Sequence, residues 1–302
     1  MSKDRDEETG GDVKPEDEFV TDMLESNDAD ASRDDDIFNV DRQVPDPLVS
    51  AYEGLLHKVQ ALPELPMQST LVKREIDRLD PEQQVWFLDQ LLRSALWGHP
   101  GGMETMQAAV WWLLQMRRND EYETIKTFFE TAHRTQRPSV IDLFREVPPY
   151  RALAEGQQLP EVRLPMGSEV TLGERRALAA GSKRRLLERL LQDPDPLVIE
   201  KLLDNPQIRL QDVRVAITRR PTTPDILQVV MEHPKWFSRH GAREAVVRNP
   251  YADTGLALKL LPTLGIKILR RIRYSGDLHE LVQESATRLV TLREERTAPW
   301  RV

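Results

Sequence analysis

Residues 204–221 read DNPQIRLQDVRVAITRRP, a short segment closed at both ends by a polar residue followed by proline, Asn205-Pro206 and Arg220-Pro221. Between them Val213 and Ile217 stand four apart, one turn of a helix, so the segment reads as a single short helix between two corners. The same layout returns on either side. Pro194, Pro221 and Pro250 are spaced 27 and 29, and Pro206, Pro234 and Pro262 are spaced 28 and 28. Two interleaved proline series with one period mean a repeated pair of helices. RLLERLLQDP, DVRVAITRRP and GAREAVVRNP supply the first helix of each pair; DPLVIEKLLDNP, TTPDILQVVMEHP and YADTGLALKLLP supply the second. Counted back from each proline, Leu186, Val213 and Ala242 share one column, Leu190, Ile217 and Val246 another, and Leu202, Val230 and Leu258 a third. These columns are the expected stacked core. Proline at the first helical position loses no hydrogen bond, so each X-Pro is read as a helix start, with Asp193, Asn205 or Asn249 as its cap.

Upstream, TLGERRALAAGSKRR reads as a leading cap helix. Downstream, IKILRRIRYSGDLHELVQESATRLV keeps the rhythm but replaces X-Pro with Ser275-Gly276, a degenerate last unit that closes the apolar end. The wording LLQDPDPLVIEKLLDN, ITRRPTTPDIL, EHPKW and RNPYADTGLALKLLP resembles the helical repeats of HEAT-like and leucine-rich-repeat-variant proteins over about residues 171–290. The version is similar to one associated with myxobacterial and related deltaproteobacterial proteins, which implies a bacterial source. The resemblance implies a short right-handed α-solenoid of about three helix-pair repeats whose surface binds a partner. Some leucine-rich-repeat-variant proteins hold an iron–sulfur cluster on cysteines; this chain has no cysteine, so that property is not carried over.

The N-terminal half resembles no family. From Pro45 to Tyr150 its pattern is helical: Leu48, Tyr52, Leu55, Leu56 and Val59 follow a 3.6-residue period, and Asp80-Pro81 opens a helix that Gly98-His99-Pro100-Gly101 stops. The expected architecture is all-α: a disordered acidic tail over 1–42, a bundle of five or six helices over 43–147, a Pro-rich linker or docking segment over 148–170, and the repeat domain over 171–302. Trp86, Trp97, Trp111 and Trp112 are expected on core-facing sides of the bundle helices.

Charge sharpens this division. Residues 1–42 hold 16 acidic and 5 basic side chains, a net of −11, whereas the rest hold 34 acidic and 37 basic, a net of +3. Within 171–273 there are 20 basic and 11 acidic side chains. The tail has too few apolar residues to offset the entropy of ordering. Its two apolar islands, Phe19 to Leu24 and Ile37 to Val40, are either incidental or segments that fold on a partner. MSKDRDEETGGD lacks an apolar signal core, and no run approaches eighteen apolar residues, so a cytoplasmic protein with no membrane contact is expected.

For chemistry, the absence of cysteine excludes disulfides, thiolate metal sites and cysteine nucleophiles. Phosphate loops, nucleophile elbows and HExxH pairs are missing. The six histidines are scattered, so no metal site, cofactor or catalytic residue is assigned. The binding candidates are basic. Arg214 aligns with Arg243 and Arg219 with Arg248, at positions read as outside the core, and Arg220, Lys235, Trp236 and Arg239 lie nearby. Such a strip suits carboxylates or phosphates. Its competing reading is a solvated face paired with Glu232 or Glu244, and that of Trp236 and Phe237 is gap-filling between helices. The function read from this pattern is a non-enzymatic adaptor or scaffold that takes an acidic protein segment, with residues 1–42 as an intramolecular competitor. Nucleic-acid binding is the runner-up, because HEAT-like arrays include a DNA glycosylase family. Against it, no catalytic carboxylate can be assigned among Asp193, Asp204, Asp212 and Asp225.

Overall fold

The structure, a computed structural model, describes residues 46–119, 121–160, 162–165 and 170–295; the expected tail over 1–42 and its apolar islands lie outside the described residues. The protein is all-α. Sixteen α-helices, one 3-10 turn and no strand occur among the described residues, and none of these helices is long and apolar enough to cross a membrane. The first six are α1 (Asp46–Gln60), α2 (Leu65–Ile76), α3 (Pro81–Trp97), α4 (Gly102–Arg118), α5 (Tyr122–Arg134) and α6 (Pro138–Phe144). Then come α7 (Leu172–Ala179), α8 (Arg184–Leu190), α9 (Pro196–Leu203), α10 (Leu210–Thr218) and α11 (Pro224–Glu232). The last are α12 (Pro234–Phe237), α13 (His240–Val247), α14 (Thr254–Leu260), α15 (Ile266–Ile272) and α16 (Glu280–Glu295).

The boundaries of α3 show how directly sequence sets local structure. Asp80 accepts from the backbone N–H of Gln83 while the Gln83 side chain reaches back to the Asp80 N–H, a complete capping box, and Pro81 supplies the first turn. Gly98 ends the helix at φ 71°, a left-handed conformation that favours glycine. α3 then packs on α4 and α5, and α2 packs on α4. Leu88, Leu91, Leu92, Met106, Leu113 and Leu114 are buried there. Each contributes about 1.5–3 kcal/mol relative to exposure.

From Val49 onward the chain forms one compact unit, so the helices on either side of residues 148–170 share an interface. α11 and α14 lie on α4, and α16 lies on α3 and α6. Indole N–H groups bind the two sets together. Trp97 donates to the Leu292 carbonyl at 3.0 Å, and Trp111 donates to that of Glu232 at 3.2 Å. Trp112 is buried, whereas Trp86, Trp97 and Trp111 are half-buried. Asp142, itself buried, takes Arg288 at 2.9 Å. The start of the Pro-rich segment is docked as a strap: Thr254 donates to the Pro148 carbonyl at 2.7 Å, Gly255 N–H to Val147 at 3.2 Å, and Arg151 N–H to Pro250 at 2.8 Å.

Among the later helices α9 packs between α7 and α11, and α10 packs on α13. All nine aligned core positions, Leu186 through Leu258, are buried. The prolines, however, work differently from the capping expectation. Only Pro234 of the six aligned prolines begins an α-helix; α9 starts at Pro196 and α11 at Pro224, two and three residues past the aligned proline. The residue before the proline makes a turn instead. Asp193, Asn205 and Asn249 each accept, through the side chain, the N–H two residues ahead, at 3.0, 2.9 and 3.1 Å. The two asparagines then use their amide N–H groups across the structure. Asn205 donates to the carbonyls of Ala179 and Gly181, both at 2.8 Å, and Asn249 to those of Ile217 and Arg219, at 2.8 and 3.2 Å. Each side chain thus serves carbonyls that a helix C-terminus leaves without partners.

Candidate functional site

The structure divides the eight basic-strip candidates. Arg214, Arg220, Lys235, Arg239 and Arg248 are exposed and Arg219 is half-buried, while Trp236 and Arg243 are each only 2 % exposed. Arg243 is the correction. Its column was read as outside the core, yet its guanidinium donates to the Phe237 carbonyl and lies 5.4 Å from the centre of the Phe237 ring. Burial without a carboxylate pushes it down to about 10. Trp236 is not a surface platform either: its indole N–H donates to the Leu203 carbonyl at 3.0 Å, and Lys235 covers the ring at 4.3 Å. The gap-filling reading of Trp236 and Phe237 is the one the burial matches.

Two of the remaining arginines part at the Pro221 corner. Arg219 and Arg220, the last two residues before Pro221, reach in different directions. Arg219 donates to the Gln192 carbonyl beyond α8, and Arg220 to the Arg248 carbonyl beyond α13 at 2.7 Å. Positive side chains on carbonyls just past helix C-termini are favourably placed in the field of the helix. Arg248 pairs with Glu244 at 3.5 Å.

Arg219 belongs to a different basic feature, a cleft of ≈ 770 Å³ that also holds Arg163, Arg185 and Arg189. Pro160, Val162 and Pro165 form its apolar wall, and Glu188 and Gln192 complete the lining. Three structural pieces build it. α8 supplies Arg185 and Arg189, four residues apart and therefore on one helix face; the strap after Leu159 supplies Arg163; the turn after α10 supplies Arg219. Arg189 donates to the Arg163 carbonyl at 2.8 Å, which fixes the strap against α8.

Among the described residues, the acidic groups around this cleft are already engaged. Glu188 takes the Nε–H of Arg184 at 2.8 Å. Asp193, whose side chain is wholly buried, lies 3.0 Å from Arg175, and burial raises its carboxyl above the usual range. Burial likewise lowers Arg219, partly offset by Asp193. Arg184 also binds Asp212 of α10 at 2.9 Å, holding that carboxyl below its ordinary value and tying α8 to α10. These pairs fix the walls, and among the described residues no ion pair joins a carboxylate to Arg163, Arg185, Arg189 or Arg219.

Sequence reasoning missed Arg163, Arg185 and Arg189. The i, i+4 spacing of Arg185 and Arg189 was a visible signal; the approach of Arg163, which depends on the path of the strap, had none. Comparison with known proteins adds no identity: no family model, no curated protein and no solved structure matches this chain.

Proposed function

We propose that this chain is a non-catalytic adaptor of the cytoplasm, a short HEAT-like α-solenoid of about three helix pairs joined to a helical bundle, that binds an acidic protein segment. The recurrence of one Asx-Pro turn at Asp193, Asn205 and Asn249, and the burial of the nine aligned positions, support the repeat reading. The observation that carries the binding reading is the cleft of Arg163, Arg185, Arg189 and Arg219, four guanidiniums beside an apolar wall. Guanidinium forks match carboxylates bidentately, and a cluster of like charge draws anions to it. Nucleic-acid binding loses its aromatic platform with the burial of Trp236.

The test is fluorescence anisotropy of the full chain with a labelled Asp/Glu-rich peptide, at low and at moderate salt. Binding should weaken with salt and fall about tenfold or more in an Arg185→Ser, Arg189→Ser, Arg219→Ser variant. Undiminished binding by that variant, or tighter binding of a random DNA duplex than of the peptide, would falsify the proposal.

A further inference from the structure

The arginine cleft carries more than a general attraction for acid. Arg163, Arg185, Arg189 and Arg219 line one cavity of ≈ 770 Å³, and among the described residues that line it Glu188 is the single carboxylate. Glu188 pairs with Arg184 and Asp193 with Arg175, so the described residues bring fewer carboxylates than guanidiniums to this cleft. Four like charges facing a common space repel, and a ligand of high charge density relieves that repulsion.

Two of the four are also held ready. Arg189 and Arg219 each spend one N–H on a backbone carbonyl, those of Arg163 and Gln192. A guanidinium has five N–H donors, so four remain on each, with the side chain's rotamer entropy already lost. A carboxylate presents two oxygens and one charge. A phosphate monoester presents three acceptor oxygens and about −1.5 to −2 charges, which lets it engage three or more forks at once.

The cavity is larger than a phosphoryl group needs and falls in the usual range for ligand sites of about 300–1,000 Å³. On the strap side Pro160, Val162 and Pro165 line the cleft beside Arg163 and suit the apolar residues that flank an anion. An apolar rail beside a cationic pocket is the arrangement expected for a modified side chain on a peptide rather than for a free ion.

We propose that this cleft is a phosphomonoester pocket that takes a phosphorylated side chain of a partner protein's acidic segment. The inference rests on the adaptor reading and narrows its ligand.

The experiment uses the full chain and three labelled peptides of one acidic sequence, carrying phosphoserine, glutamate or serine at the centre, with inorganic phosphate as competitor. The phosphoserine peptide should bind about tenfold or more tighter than the glutamate peptide. An Arg185→Ser, Arg189→Ser, Arg219→Ser variant should lose this preference. Arg189→Lys with Arg219→Lys, which keeps charge and loses the fork, should lose most of it; circular dichroism and thermal melting establish that both variants are folded. Equal affinity for the phosphoserine and glutamate peptides overturns the phosphate inference and leaves the adaptor reading standing. Equal affinity for all three, or none, overturns both. Inorganic phosphate binding as tightly as the phosphoserine peptide overturns the assignment to a protein side chain.

Discussion

The Arg243 guanidinium lies 5.4 Å from the centre of the Phe237 ring and donates to that residue's own carbonyl, deep enough that only 2 % of the side chain's residue remains exposed. A cation in this position is satisfied in part, and its Nε–H has no partner. Its aligned neighbour in the preceding helix pair but one is Leu187, fully buried.

That relationship predicts a stabilising substitution. Desolvation lowers Arg243 from the ordinary arginine range to about 10. At ~1.4 kcal/mol per pKa unit the charged form is disfavoured by roughly 3 kcal/mol, while losing the donor to the Phe237 carbonyl costs about 1–2 kcal/mol. Both folded and unfolded forms are protonated at pH 7, so the whole cost of desolvation acts there. Arg243→Leu should therefore raise stability by about 1 kcal/mol and the melting midpoint by a few degrees. A lower midpoint would mean that the cation–π and carbonyl contacts outweigh desolvation. Peptide binding at the cleft should not change.

The same column explains where sequence reading stopped. The proline period, the all-α class and the nine core positions were legible because apolar spacing and Pro placement are local properties. Leu187, Arg214 and Arg243 share a column, yet the first and third are buried and the second is exposed. Which side of a short helix faces inward depends on the neighbours it meets, and α13 meets α12 and Phe237, for which the earlier pairs have no counterpart. The asparagine ties were hidden for a related reason: their carbonyl partners lie 24 to 32 residues away. The arginine cleft needed the path of the strap, and the Trp97–Leu292 contact spans 195 residues.

Asn205 and Asn249 give a second prediction. Each combines an Asx turn with two carbonyl ties, so Asn205→Ala should cost about 2–3 kcal/mol, read from urea denaturation. Asn205→Asp separates the two roles. It keeps the acceptor for the Gln207 N–H but sets a carboxylate against the carbonyls of Ala179 and Gly181, and should be at least as damaging as alanine. Asn205 and Asn249 share no partner, so their effects should add. An Asp variant as stable as the wild type would leave the turn alone as the purpose of the residue.

His233 gives the pH dependence. Burial lowers its pKa below 6.5, opposed by Asp204 at 3.4 Å. With the folded value depressed, the unfolded chain binds the proton more readily between the folded pKa and 6.5. Stability from this group is therefore complete above about pH 6.5 and is lost as pH falls through the folded value. Denaturation midpoints should decline from pH 7 to pH 5 in the wild type, and His233→Asn should flatten part of that slope. An unchanged slope in the variant would assign the decline to other groups.

The strap supplies the last prediction, because one glycine lies directly beneath it. A Cβ on Gly255 would come within 2.5 Å of the Arg145 carbonyl, a backbone atom that cannot swing aside as a side-chain tip would. The hydrogen bonds from Thr254 and Gly255 to Pro148 and Val147 depend on that approach, as does the 3.1 Å pairing of buried Lys259 with Glu146. Gly255→Ala should destabilise the chain by about 1–3 kcal/mol through overpacking, and should free the strap before the whole protein unfolds. Limited trypsinolysis reads the second effect: cleavage at Arg151, whose N–H is held by Pro250, should accelerate more than cleavage elsewhere. Gly54→Ala is the counterpart within α1, where nothing lies within 4 Å of the added carbon; better helix propensity should stabilise it by up to about 1 kcal/mol. If Gly255→Ala lowered stability without selective cleavage at Arg151, the strap and the helices beneath it would unfold as one cooperative unit, and the arginine cleft that the strap helps to build would be as rigid as the core.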